Sequence, residues 1–137
     1  KTEPTAFDET AAQTLSGCRI LLAEDNDLNA EISIELLTRE GLLVERANDG
    51  VACLEMLQKA SEDYYDLILM DIKMPRMGGL EATRIIRSYS KEIPVIALTA
   101  YAFEADKEQA LEAGCNDFVT KPVSKAALEE ALGKCCG

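Results

Sequence analysis

The chain has 137 residues, about one domain's worth, and is long enough to bury a core without disulfides or a structural metal. Its 25 acidic and 14 basic residues give a net charge of −11, which disfavours direct binding to a phosphate backbone, and it contains no histidine. That last count excludes Ser-His-Asp and Cys-His catalysis, histidine-ligated zinc and a phosphohistidine step within the chain, leaving carboxylates, hydroxyls and lysine to carry any chemistry.

Residues 1–17 are polar, include Pro4 and several threonines, and lack a sustained apolar period; they read as a linker or flexible tail. A single domain is expected over 18–133, with a short tail at 134–137. Within it, short apolar runs alternate with helical patterns, as βα units around a parallel sheet require. The first predicted strand is Ile20 to Ala23. A helix follows over about 27–40, carrying Leu28, Ile32 and Leu36 at four-residue spacing, with Gly41 as its stop. The second strand is predicted over 42–47; an Asn48-Asp49-Gly50 turn then leads to a helix with Ala52, Met56 and Leu57. The third strand, Leu67 to Met70, is apolar without alternation and so should be covered on both faces. A loop with Pro75, Gly78 and Gly79 precedes a helix with Ala82, Ile85 and Ile86. The fourth strand is Val95 to Leu98, followed by a helix ending at Gly114. The fifth strand contains Phe118 and Val119, and Lys121-Pro122 leads into a last helix capped by Ser124 and stopped at Gly133.

No apolar run reaches the 18 or more residues that span a bilayer, and no basic-then-apolar leader opens the chain. A cytoplasmic domain without membrane contact of its own is expected. The five cysteines form no C-x-x-C pair and several sit in apolar stretches, consistent with a reducing compartment; Cys135 and Cys136 are assigned no role.

The polar residues of interest stand at strand ends: Glu24 and Asp25 after the first, Asp71 after the third, Thr99 after the fourth and Lys121 after the fifth. In an open α/β sheet those ends line the ligand crevice. Three carboxylates about 5 Å apart repel by roughly 3 kcal/mol per pair at an effective dielectric near 20, so a cation is implied. An all-oxygen set with room for water favours Mg2+ over zinc. Lys121 and Thr99 add a positive charge and a hydroxyl donor suited to phosphoryl oxygens. Taken singly, each acid could merely cap the following helix; the joint placement points to a pocket that accepts a phosphoryl group.

These same residues resemble the receiver domain of response regulators over about residues 18–132. The matching segments are Leu22-Ala23-Glu24-Asp25-Asn26, Met70-Asp71-Ile72-Lys73-Met74-Pro75, Gly78-Gly79, Ala97-Leu98-Thr99-Ala100 and Phe118-Val119-Thr120-Lys121-Pro122-Val123. The resemblance implies a flavodoxin-like α/β fold: a doubly wound five-stranded parallel sheet of order 2-1-3-4-5 with five flanking helices. It implies that Asp71 is the phosphoacceptor, that Asp25, Asp71 and the backbone carbonyl of Lys73 ligate Mg2+, and that Glu24 acts through a metal-bound water. Lys121 would pair with the phosphoryl group and Thr99 would hydrogen-bond it. Thr99 and Phe118 would form the switch, with a simple core aromatic as the competing reading of Phe118. Lys73 and Tyr101 fall on the positions that tune phosphoryl lifetime, and Lys121-Pro122 on a cis peptide bond.

The opening Leu15-Ser16-Gly17-Cys18-Arg19-Ile20, with Asn26 and Asn29, is similar to receivers carried behind the kinase core of hybrid sensor histidine kinases, whose parent protein can be membrane-anchored. A free-standing or output-fused regulator is the alternative. The implied donor is a histidine kinase core or a His-phosphotransfer domain, docking through apolar residues of the first helix such as Leu28 and Ile32, which could equally be core. With no histidine and no G-x-x-x-x-G-K-[ST] loop the chain is not itself a kinase; it is expected to catalyse only its own phosphorylation and dephosphorylation. Two other readings are a pseudo-receiver that binds partners without phosphorylation, and a Mg2+-dependent phosphatase or phosphomutase. The second would want another acid two residues after its nucleophile, where Lys73 stands.

Overall fold

The computed structural model describes residues 17–39, 41–60, 64–72, 74, 77–89, 93–99 and 104–120. The elements run β1 (Arg19–Ala23), α1 (Asp27–Arg39), β2 (Leu43–Ala47), α2 (Gly50–Lys59), β3 (Leu67–Asp71), α3 (Gly79–Tyr89), β4 (Val95–Thr99), α4 (Glu104–Ala113) and β5 (Asp117–Thr120). All neighbouring strands are parallel, in the order β2-β1-β3-β4-β5. Strand order and parallel pairing agree with the sequence expectation, and four flanking helices lie among the described residues; the expected fifth helix, with Ser124 and Gly133, falls outside them.

Alternate residues of the central strands enter two cores. On one face Ile20, Leu22, Leu67, Leu69, Ile96 and Leu98 pack with Ala30 and Leu37 of α1. On the other, Leu21, Ala23, Ile68, Met70, Val95 and Ala97 meet Cys53 and Leu54 of α2, Ala82 and Ile86 of α3, and Ala110 of α4. Every residue of β3 and β4 is buried, which is why those strands read as continuous apolar runs. Each large side chain so buried contributes about 1.5–3 kcal/mol.

Helix ends follow local chemistry. The Asn26 side chain accepts from the Asn29 N–H at 2.9 Å to start α1, and Asp49 accepts from the Ala52 N–H at 2.9 Å to start α2. At the other end, Gly41 (φ 88°) and Gly114 (φ 111°) adopt the left-handed turn. The Leu42 N–H then reaches the Leu37 carbonyl and the Cys115 N–H the Ala110 carbonyl, closing α1 and α4. The apolar spacing of α1 was a poor guide to its inner face. Ala30, Ser33 and Leu37 are buried, whereas Leu28 is 65 % and Ile32 41 % exposed. Small residues let the helix lie close to the sheet, so the larger pair points to solvent.

Candidate functional site

Order 2-1-3 makes the chain leave β1 toward one side for β2 and cross to the other for β3. The two crossovers diverge at that point and leave a crevice above the carboxyl ends of β1 and β3. Into it the sequence places Glu24 and Asp25, just after β1, and Asp71, the last residue of β3. Ligand oxygens of the three carboxylates all lie within 4.8 Å of one another. Glu24 and Asp71 are buried and Asp25 is exposed, so the cluster has a closed floor and an open rim. Thr99 ends the adjacent β4, also buried; in register Asp71 pairs with Leu98, one residue before it.

The loops are held by backbone contacts. The Glu24 N–H donates to the Ala47 carbonyl at 3.0 Å, and the Asn26 N–H to Glu24 Oε2 at 3.3 Å. Beyond β3, the Ile72 N–H bonds the Leu98 carbonyl, and the Gly79 N–H returns to the Ile72 carbonyl at 2.9 Å. Gly79 is required by proximity: a Cβ there would overlap the Asp71 carbonyl oxygen and stand 2.8 Å from Met70 Cγ. The Gly78-Gly79 pair therefore lets α3 begin directly against the end of β3.

The donor set of three acidic oxygens, half open to water, fits a hard divalent cation of the Mg2+ type rather than a thiophilic metal. Bound there, such a cation neutralises the cluster and polarises phosphoryl oxygens.

On β5, Phe118 pairs in register with Ala97, and both pack in the core beneath α2, α3 and α4. Its ring is partly buried with Lys107 Nζ 4.8 Å above the centroid, a cation–π contact that sequence reasoning missed because it joins α4 to β5. Sequence reasoning also missed Arg46, whose guanidinium lies over the end of β1. Lys73, Tyr101, Lys121 and Pro122 fall outside the described residues, as do Cys135 and Cys136.

Other polar groups stand away from the crevice. Toward the amino ends of the strands, Tyr64 and Tyr65 donate to Glu45 at 2.6 and 2.7 Å, and Arg19 stacks on Tyr64. Those two phenol hydrogen bonds hold the Glu45 carboxyl below its ordinary range, helped by Arg19. Burial, then the bond to Glu45, raises Tyr65. Burial pushes the Cys53 thiol up to about 12, making it an inert core residue.

Comparison with known proteins decides the family: the model of the response regulator receiver domain matches residues 20–133. The chain belongs to the response regulator receiver family. This receiver is 42 % identical over 120 residues to hybrid signal transduction histidine kinase I of Dictyostelium discoideum, a match covering 83 % of the chain but 7 % of that protein. It is 44 % identical over 127 residues to histidine protein kinase 1 of Candida albicans, covering 85 % of the chain and 5 % of the relative. The chain thus spans a small fraction of these relatives. Among solved structures, the receiver domain of the Pseudomonas aeruginosa sensor histidine kinase PA1611, with a magnesium ion in its active-site cleft, is 37 % identical at a TM-score of 0.77, covering 88 % of this chain and 98 % of that one. The Saccharomyces cerevisiae Ssk1 receiver domain, co-crystallised with the histidine phosphotransfer protein Ypd1, is 29 % identical at a TM-score of 0.77, with 89 % and 91 % covered.

Proposed function

We propose that this receiver takes a phosphoryl group from a phosphohistidine onto Asp71, with Mg2+, within a hybrid sensor histidine kinase. The observation that carries this reading is the convergence of Glu24, Asp25 and Asp71 within 4.8 Å at the β1/β3 switch point, beside Thr99. A buried Asp71 at a strand end presents its carboxylate from a rigid support, as in-line attack on phosphorus requires. One Asp71 oxygen forms the new O–P bond as the P–N bond of the donor breaks, and the electron pair stays on the imidazole nitrogen. Charge on the transferring oxygens would be met by the Lys121 ammonium and by a cation that Asp25, Asp71 and, by family resemblance, the Lys73 carbonyl would hold, with Glu24 acting through a metal-bound water. Thr99 then donates to the acyl phosphate. Its inward turn and the response of Phe118 on the same core face shift a two-state surface near β4 and β5. Water attack on the acyl phosphate resets the domain.

The magnesium in the PA1611 receiver supports the choice of metal, and the Ssk1–Ypd1 pairing supports a histidine phosphotransfer donor. Leu28 and Ile32, exposed on α1 beside the crevice mouth, are the apolar groups on which such a donor would dock. The kinase relatives support the hybrid parentage, and a cytoplasmic placement of the domain is proposed with it. Among the described residues no helix is long and apolar enough to cross a membrane. Acetyl phosphate plus Mg2+ should phosphorylate the wild type and not Asp71→Asn, while ATP without a kinase should label neither. Labelling that survives in Asp71→Asn, or labelling by ATP alone, overturns the reading.

A further inference from the structure

β2 contributes no carboxylate to the crevice, yet its last two residues grip the loop that does. The Ala47 carbonyl accepts from the Glu24 N–H at 3.0 Å. Arg46 pairs in register with Leu22, and its side chain extends over the end of β1: Nε donates to the Glu24 carbonyl at 3.0 Å and Nη1 meets Asp27 Oδ1 at 2.9 Å. Both backbone polar groups of Glu24 are thus held by β2. The guanidinium spans residues 24 to 27, bracketing the exposed Asp25. Its remaining nitrogen, Nη2, is buried with no hydrogen-bond partner among the described residues, a placement that costs about 1–3 kcal/mol.

We propose that Arg46 is a positioning residue for the phosphoryl-transfer site, clamping the β1–α1 turn so that the Glu24 and Asp25 carboxylates face a divalent cation. This deepens the proposed function and rests on that reading of the cluster. A guanidinium near a cation site also opposes the cation by charge, but here Asp27 neutralises it at 2.9 Å, so the geometric effect outweighs the repulsion. Lysine cannot substitute: a single ammonium lacks the planar fork that holds a carbonyl and a carboxylate together.

The two effects separate by sign. Backbone amide shifts of residues 24–27 followed during Mg2+ titration of the unphosphorylated protein give the affinity, and thermal midpoints in EDTA report structural damage. Arg46→Lys and Arg46→Gln should each weaken Mg2+ binding about 10-fold, the scale of losing a group that orients a metal ligand, with midpoints within a few degrees of wild type. Tighter binding by Arg46→Gln with Arg46→Lys unchanged would make the arginine a mere charge and overturn the clamp, as would wild-type affinity in both. If Arg46→Gln does not fold, Arg46→Lys and the surface change Asp27→Ala carry the test, each expected to weaken binding and each refuting the clamp if affinity is unchanged. A wild type with no saturable Mg2+ response removes the metal site itself, and the clamp with it.

Discussion

Replacing Asp71 by Asn should make the metal-free protein more stable while abolishing its function. Two carboxylates with oxygens up to 4.8 Å apart repel by about 3.5 kcal/mol at an effective dielectric near 20. The open rim at Asp25 brings the solvent in, so about 1–2 kcal/mol per pair is the better figure. Asp71→Asn removes two of the three pairings, gaining about 2–4 kcal/mol, and gives back about 1–2 kcal/mol in weakened charge-assisted hydrogen bonds. The net gain of about 1–2 kcal/mol, divided by an unfolding entropy near 0.3 kcal/mol/K for a chain of this length, raises the thermal midpoint by about 3–7 °C. Magnesium should act in the opposite sense on the comparison. At ten times its Kd it stabilises the wild type by about 1.4 kcal/mol, and it should leave Asp71→Asn nearly unmoved, closing the gap. Calorimetric scans in EDTA and in Mg2+ supply the four midpoints. An Asn variant less stable than wild type in EDTA, together with equal Mg2+ shifts in both, would refute the mutual repulsion of the cluster.

Gly79→Ala should destabilise the fold by about 1–3 kcal/mol in urea unfolding, because its Cβ would run into the Asp71 carbonyl. Gly78→Ala, with the Ile72 carbonyl oxygen 3.2 Å away, should cost less, and the reverse order would contradict the close approach of α3 to β3. Alkaline pH tests the buried thiol. Cys53 is raised from 9.0 to about 12 in the fold, so its stabilising contribution is complete below pH 9.0 and is lost as pH rises toward about 12, where the unfolded chain has already released its proton. Tyr65, also raised, acts in the same direction. Urea midpoints measured from about pH 8 to 11 should fall less steeply in Cys53→Ala than in wild type; parallel profiles would mean the thiol ionises as readily folded as unfolded.

The fold class was legible because a parallel sheet covered on both faces writes itself as short unbroken apolar runs, and Leu67–Met70 and Val95–Leu98 are buried throughout. The acids were legible because each stands at the end of such a run, and the general rule for open sheets sends strand ends to one crevice. Which face of α1 turns inward was not legible: Leu28, Ile32 and Leu36 make a convincing stripe, yet close packing on the sheet favours Ala30, Ser33 and Leu37, leaving Leu28 and Ile32 to solvent and Leu36 half-buried. Nor could residue order reveal Arg46. An arginine in an edge strand reads as a solvated charge, and only the parallel register of β2 on β1 lays its guanidinium across Glu24 and Asp27, 22 and 19 positions earlier in the chain. The contact of Lys107 with Phe118 is of the same kind. Local chemistry, read along the chain, determined the strands, the caps and the identity of the reacting groups. Pairing across the sheet, which depends on long-range closure and on how closely helices approach, decided how those groups are held.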